Sequence, residues 1–126
     1  MDLTGCNLVT TSDITSSGAF PAMPKLQTLS LKDCTSLTGT IDFSACANMT
    51  SLDLRGTVVS PILTNNQSLI QTLKLGTPTS VNIQNPTQLT PSGVTVADST
   101  SITSVDLVNQ PNCASFTMFA KIMNLI

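Results

Sequence analysis

Aspartates and cysteines are the side chains of this chain of 126 residues whose types could carry chemistry. Seven aspartates are the only acidic residues, because the sequence has no Glu, and it also lacks His, Trp and Tyr. Without histidine, neither a Ser-His-Asp nor a Cys-His nucleophile can form. The remaining catalytic arrangement is a carboxylate pair, for instance Asp42 with Asp106, acting on a glycosidic bond. Nothing in the sequence brings these two residues to one cleft, so we expect a protein that is not an enzyme.

The cysteines lie at four positions without a C-x-x-C pair, which argues against a zinc site. They are Cys6, Cys34, Cys46 and Cys113. We expect the first three to be buried packing thiols, because each follows an apolar residue by three positions. The alternative is a disulfide between Cys34 and Cys46, which needs their Cα atoms within about 7 Å. The sequence also has no glycine-rich phosphate loop and no calcium loop, so we expect no cofactor or metal.

The composition favours a folded β protein. Its polar positions are mostly 20 Thr, 15 Ser and 9 Asn, which favour strands and turns over helices. Hydrophobic residues make up 40% of the chain, enough for a packed core. A formal net charge of -2 argues against a nucleic-acid partner. No stretch approaches the roughly 20 apolar residues of a membrane helix, so we expect no membrane insertion.

Apolar residues recur at a regular interval. Residues 26–37 read L-x-x-L-x-L-x-x-C-x-x-L, and the frame returns along the chain. One series is anchored, at spacings of 23, 21 and 21, by Leu29, Leu52, Leu73 and Val94. A second, interleaved series has spacings of 21, 21 and 22, with anchors at Ile41, Ile62, Ile83 and Val105.

This period indicates a coiled backbone. Each L-x-L unit points two apolar side chains inward and the residue between them outward. Coils stacked about 4.8 Å apart bury a shared interior and pair equivalent strands in parallel sheets. The sequence therefore predicts a mainly β, right-handed solenoid with about 22 residues in each of four to five coils and little helix.

Residues 26–37 and 41–54 resemble leucine-rich repeats. The second segment reads F-x-x-C-x-x-M-x-x-L-x-L from Phe43 onwards. It is similar to the repeats of about 22 residues in bacterial surface proteins and in phage proteins of gut bacteria, where F-x-x-C-x-x-L-x-x-L-x-L is common. The resemblance implies a leucine-rich-repeat-like solenoid used for binding or assembly, with an extracellular or virion setting.

We predict one solenoid domain over residues 1–126. Residues 1–25 form an irregular first coil with a loop insertion, and residues 26–113 form the repeats. Residues 114–126 are an apolar C-terminal segment, which either caps the last coil or makes an assembly contact.

The outward polar positions between paired apolar residues are the candidate site. They are Ser30, Asp53, Lys74 and Thr95 on one ladder, and Asp42, Asn82 and Asp106 on the other. Stacked side chains about 5 Å apart form a row that a protein or glycan partner could bind, or else a solvated sheet face. We therefore expect a non-enzymatic binding or assembly module at a bacterial or virion surface. The alternatives are a structural virion or surface-fibre component that self-associates through the solenoid ends, and a β-helical carbohydrate-active enzyme.

Overall fold

The chain winds as a β-solenoid. The computed structural model describes residues 1–64, 70–84, 89–97, 99–108 and 119–123. Two four-stranded parallel sheets form the walls of a solenoid of about three turns. The strands are β1 (Thr28–Ser30), β2 (Thr40–Asp42), β3 (Ser51–Asp53), β4 (Ser60–Leu63), β5 (Thr72–Leu75), β6 (Ser80–Gln84), β7 (Val94–Val96) and β8 (Ser104–Val108). Helical turns in the described residues are α1 (Thr11–Ile14), two 3₁₀ turns (Pro91–Gly93 and Ser99–Ser101) and residues 119–122.

The first sheet has the strand order β1-β3-β5-β7. Its in-register partners include Leu29 with Leu52, Leu52 with Leu73, and Leu73 with Val94. These four residues are buried, and they are the predicted anchors of the first series. The solenoid architecture and the register of this sheet are confirmed, whereas the right-handed sense of the winding stays a prediction.

The second sheet has the order β2-β4-β6-β8, and its predicted register is wrong. Ile41 pairs with Pro61, and Asp42 pairs with Ile62, so Ile62 points outward. Pro61 and Leu63 take the inward positions on either side of it. At the other end of the sheet Val105 pairs with Val81, and the partner of Ile83 is Leu107. The proline fits because the backbone groups of β4 that bond towards β2 belong to Ser60 and Ile62, and the ladder between β4 and β6 begins only at Ile62.

The interior is a continuous apolar column. Leu29, Leu52 and Leu73 have no solvent exposure, and the rings of Phe20 and Phe43 pack at 5.5 Å between centroids with their planes tilted by 41°. Burying one such leucine contributes about 1.5–3 kcal/mol relative to leaving it in water. Because one coil has no second layer of its own to cover these side chains, the column stabilises each coil only through its neighbours.

The first corner of three successive coils has an unusual backbone. Gly5, Asp33 and Gly56 lie at equivalent places in successive coils, and all have positive φ, at 76°, 59° and 75°. In each coil the next residue donates its N–H to an inward leucine carbonyl, as Cys34 does to Leu31 at 3.2 Å. Left-handed backbone disfavours most L-residues, which explains the glycines and the single aspartate.

Hydroxyl side chains join one coil to the next. The Thr50 hydroxyl donates to the Gln27 carbonyl at 3.1 Å, and the hydroxyls of Ser44 and Thr64 lie 3.1 Å apart. The buried Ser60 Oγ accepts the N–H groups of Thr79 and Ser80 at 3.1 and 3.2 Å. Many of the serines and threonines therefore satisfy the backbone between coils, and this use limits how many are free for a partner.

Residues 1–25 add to both sheets. Asp2 bridges Ser30 in the first sheet, and Ala19 bridges Asp42 in the second, both in parallel. Asp2 and Ser30 are 28 positions apart in the sequence, and Ala19 and Asp42 are 23 positions apart. The longer of these two segments, from Asp2 to Ser30, contains α1. Five apolar side chains of this segment are only partly buried where they pack against the core: Leu3, Cys6, Val9, Ile14 and Met23.

The apolar C-terminal segment is described only over residues 119–123. Ile122 is fully buried in the core cluster and Met123 packs against it, whereas Phe119 is 40% exposed. The predicted end of the repeats at residue 113, and residues 114–118 and 124–126, lie outside the described residues.

Candidate binding face

The first sheet brings four of the predicted site residues together. Ser30 pairs with Asp53, Asp53 with Lys74, and Lys74 with Thr95. They point outward on adjacent strands, about 4.8 Å from one step to the next. Asp2 extends the same line through its bridge to Ser30. We call these five residues the polar row.

Asp53 is held firmly within the polar row. The Arg55 side chain donates to its carboxylate from Nε at 3.0 Å and from a terminal nitrogen at 2.7 Å. The Arg55 backbone N–H also donates to Asp53 Oδ1 at 3.1 Å. Partial burial alone would raise the pKa of Asp53, but these hydrogen bonds and the charges of Arg55 and Lys74 leave the pKa lower than usual. Asp53 is therefore ionised and oriented at neutral pH.

Backbone capping is a role of these aspartates that the sequence analysis missed. Asp2, Asp42 and Asp53 each accept the N–H of the residue two positions later, at 2.9, 2.9 and 3.1 Å. Such an Asx turn ends a strand and starts the corner. The signal in the sequence was a repeated pair of an aspartate followed directly by Leu or Phe, which also occurs at Asp106. The outward aspartates thus have a structural function, whatever they bind.

The side chains of the polar row differ in whether they already have hydrogen-bond partners within the protein. Ser30 Oγ lies 2.8 Å from Thr4 Oγ1 and accepts the Lys32 N–H at 3.4 Å. The side chains of Lys74 and Thr95 form no hydrogen bond or ion pair within the described part of the chain. They are the members whose polar atoms are free for a partner.

A second line of cations runs beside the polar row, and the sequence analysis did not single it out. Lys32 and Arg55 follow Ser30 and Asp53 by two positions, so they point to the same side at the strand ends. With Lys74, three of the five basic residues of the chain lie along the first sheet. The sequence signal was a basic residue two positions after an outward polar one. These three cations share the face with the carboxylates of Asp2 and Asp53, and Arg55 is paired with Asp53.

The second sheet does not form a comparable row. Ile62 lies between Asp42 and Asn82, so the polar line is interrupted there. Asp106 pairs with Asn82 and is exposed, while the side-chain oxygen of Asn82 is buried without a hydrogen-bond partner. Asp42 and Asp106 are three strands apart, about 14 Å at standard strand spacing. Carboxylate pairs of glycosidases lie about 5–9.5 Å apart, so the structure does not bring this pair together.

The three described cysteines are reduced, and the alternative disulfide between Cys34 and Cys46 is not formed. The Cys34 thiol donates to the Leu3 carbonyl at 3.0 Å, and the Cys46 thiol to the Pro21 carbonyl at 3.4 Å. Burial raises the pKa of both thiols. Cys113 lies outside the described residues.

The described residues contain no pocket and no group of three or more Cys or Asp side chains arranged to hold a metal ion. No helix among the same residues is long and apolar enough to span a membrane. Comparison of the chain with protein-family models, curated proteins and solved structures gave no match.

Proposed function

We propose that the protein is a non-enzymatic binding module whose first sheet recognises a protein or glycan partner. The observation that carries this proposal is the polar row, in which Ser30, Asp53, Lys74 and Thr95 stand on four adjacent strands in register. A rigid solenoid wall presents such side chains at a fixed spacing, and this arrangement costs little ordering on binding.

The charges suggest the chemistry of the partner. Arg55 is neutralised by its ion pair with Asp53, whereas Lys74 has no ion-pair partner in the described residues. Lys74 next to the free hydroxyl of Thr95 favours a carboxylate or a hydroxyl-rich group, as found on acidic glycans and on acidic protein loops. Hydrogen bonds to a charged group contribute about 1.5–3 kcal/mol each, so Lys74 is the residue expected to dominate affinity.

We further propose that the coils are of leucine-rich-repeat type and that the protein acts at a bacterial or virion surface. The L-x-x-L-x-L frame and the buried Cys34 and Cys46 at the corners support the repeat type. Few charges and many hydroxyls support the surface setting. The wide separation of Asp42 and Asp106 supports a non-enzymatic role over a carbohydrate-active one.

The proposal is tested by a glycan array together with a pull-down from bacterial envelope. Bound partners are then titrated against the wild type and two variants. Lys74→Ala should weaken binding about tenfold, which corresponds to about 1.4 kcal/mol. Lys25→Ala is the matched control, because Lys25 is exposed and lies outside both sheets. Equal affinities of the two variants, or no ligand in either screen, would contradict the proposal.

A structural component that assembles through its ends is the second candidate. It is favoured by the first coil, whose apolar residues are only partly buried, although their equivalents Leu31, Cys34 and Leu37 in the next coil are fully covered. Light scattering over a dilution series tests this candidate. It predicts a mass that rises with concentration, and a monomer at every concentration would count against it.

A further inference from the structure

Cys6 and Cys34 occupy the same place in adjacent coils. The Leu3 N–H donates to the Ser30 carbonyl and the Gly5 N–H to the Lys32 carbonyl, both at 2.8 Å, which sets the register between the first two coils. Cys6 and Cys34 then make the same corner hydrogen bond, each donating its N–H to the carbonyl three positions earlier. Residues in register on neighbouring strands lie about 4.8 Å apart.

The local contacts join these two cysteines and leave out the third. Burial raises the pKa of the Cys34 thiol, and the nearby backbone N–H of Cys6 lowers this pKa in part. The Cys34 thiol also donates to Leu3, three residues before Cys6. The Cys46 thiol instead lies at the other corner, against Pro21. Among the three described cysteines, Cys6 is therefore the neighbour of Cys34.

From this geometry we propose that Cys6 and Cys34 are a redox site, at which a disulfide oxidant such as oxidised glutathione joins the first coil to the second. A disulfide needs Cα atoms about 4.4–6.8 Å apart, and adjacent in-register positions meet this requirement. Cys6 is only partly buried, so the first coil can make the small approach that bonds the two sulfurs. This site does not depend on the proposed binding function.

The exchange proceeds in two balanced steps. The partly exposed Cys6 is the entry point: its thiolate attacks one sulfur of oxidised glutathione, forming a mixed disulfide and releasing one glutathione thiolate. Cys34 then loses its proton and attacks the Cys6 sulfur, forming the Cys6–Cys34 bond and releasing the second glutathione thiolate. The two cysteines lose two electrons and two protons, and one oxidised glutathione becomes two reduced molecules. Burial raises the pKa of Cys34, which lowers the fraction of its thiolate available for the second step.

The test is peptide mapping of the whole chain after equilibration with oxidised glutathione and alkylation of the remaining thiols. Cleavage before aspartates places Cys6 in residues 2–12, Cys34 in 33–41 and Cys46 in 42–52. We expect fragments 2–12 and 33–41 to be linked. Oxidation should also raise the midpoint of thermal unfolding by about 5–10 °C, because the bond closes a loop of 27 intervening residues.

Two variants sharpen the test. Cys46→Ala should keep both the link and the thermal shift, while Cys6→Ala should lose both. A link from Cys34 to Cys46, or glutathione retained on Cys6 with Cys34 still reduced at equilibrium, would overturn the proposal. The mapping of the wild type decides the matter even if a variant folds poorly.

Discussion

Replacing Gly76 by alanine tests how closely successive coils approach. Gly76 follows β5 and is buried against the corner of the preceding coil. A Cβ atom there would lie 2.9 Å from the Leu54 carbonyl oxygen and 3.0 Å from the Thr57 nitrogen, and closer still to the Thr57 carbonyl oxygen. These are backbone atoms fixed by the corner hydrogen bond from Thr57 to Leu54, so they cannot move aside independently.

The expected loss of unfolding free energy is the sum of two effects of the added methyl group. Overpacking against fixed atoms costs about 1–3 kcal/mol. Moving the coils apart also weakens the hydrogen bond from the Thr77 N–H to the Thr57 carbonyl, 3.0 Å long, which contributes about 1 kcal/mol. We therefore expect Gly76→Ala to lower the free energy of unfolding by about 2–4 kcal/mol, a large part of the stability of a small domain.

Urea unfolding monitored by circular dichroism measures this loss. At a typical slope the midpoint should fall by about 1–2 M. Gly39→Ala is the control, because Gly39 has a φ of 75° but open space around it, so alanine there introduces only backbone strain of about 1–2 kcal/mol. A Gly76→Ala variant no less stable than Gly39→Ala would refute the close approach of the coils.

Two further changes probe the ion pair and the corner backbone. The pKa of Asp53 is lowered in the folded chain, so its stabilising contribution is present above about pH 4 and is lost as pH falls through the folded pKa. Asp53→Asn should therefore lose less stability than the wild type between pH 6 and pH 2.5 in urea titrations, and an equal acid dependence would contradict this assignment. Asp33→Gly should raise the unfolding free energy by about 0.5 kcal/mol, because relief of the left-handed backbone strain at φ 59° outweighs the conformational entropy that glycine adds to the unfolded chain. Thermal unfolding measures this gain, and a lower midpoint would show that the Asp33 side chain stabilises the corner.

The first sheet could be predicted from the sequence because its strands alternate cleanly. Leu29, Leu52 and Leu73 each stand between polar neighbours, so only one frame buries them. In β4, Pro61, Ile62 and Leu63 are all apolar, and alternation alone cannot say which of them point inward. In the structure Pro61 and Leu63 point inward. A register slip of one residue moves every side chain of a strand to the opposite face, so the prediction that Ile62 points inward was wrong for the whole strand.

The sequence could predict which residues form the polar row, but it could not predict which of their side chains already form hydrogen bonds within the protein. A pattern of outward residues shows which side chains share a face, as it did for Lys74 and Thr95. It does not show competition for their lone pairs by nearby backbone N–H groups, as at Asp53, or by hydroxyls, as at Ser30. Such competition depends on the corner conformation, which is set by packing between coils.

Scalar couplings across hydrogen bonds, measured by NMR on the isotopically labelled chain, test the stacked coils most directly. The structure predicts couplings from the Leu31 N–H to the Asp53 carbonyl, from the Leu54 N–H to the Lys74 carbonyl and from the Phe43 N–H to the Ile62 carbonyl. The third coupling also distinguishes the observed register of the second sheet from a slip by one residue, which would move it to Leu63. Couplings from these amides to residues outside the adjacent coil would contradict a solenoid.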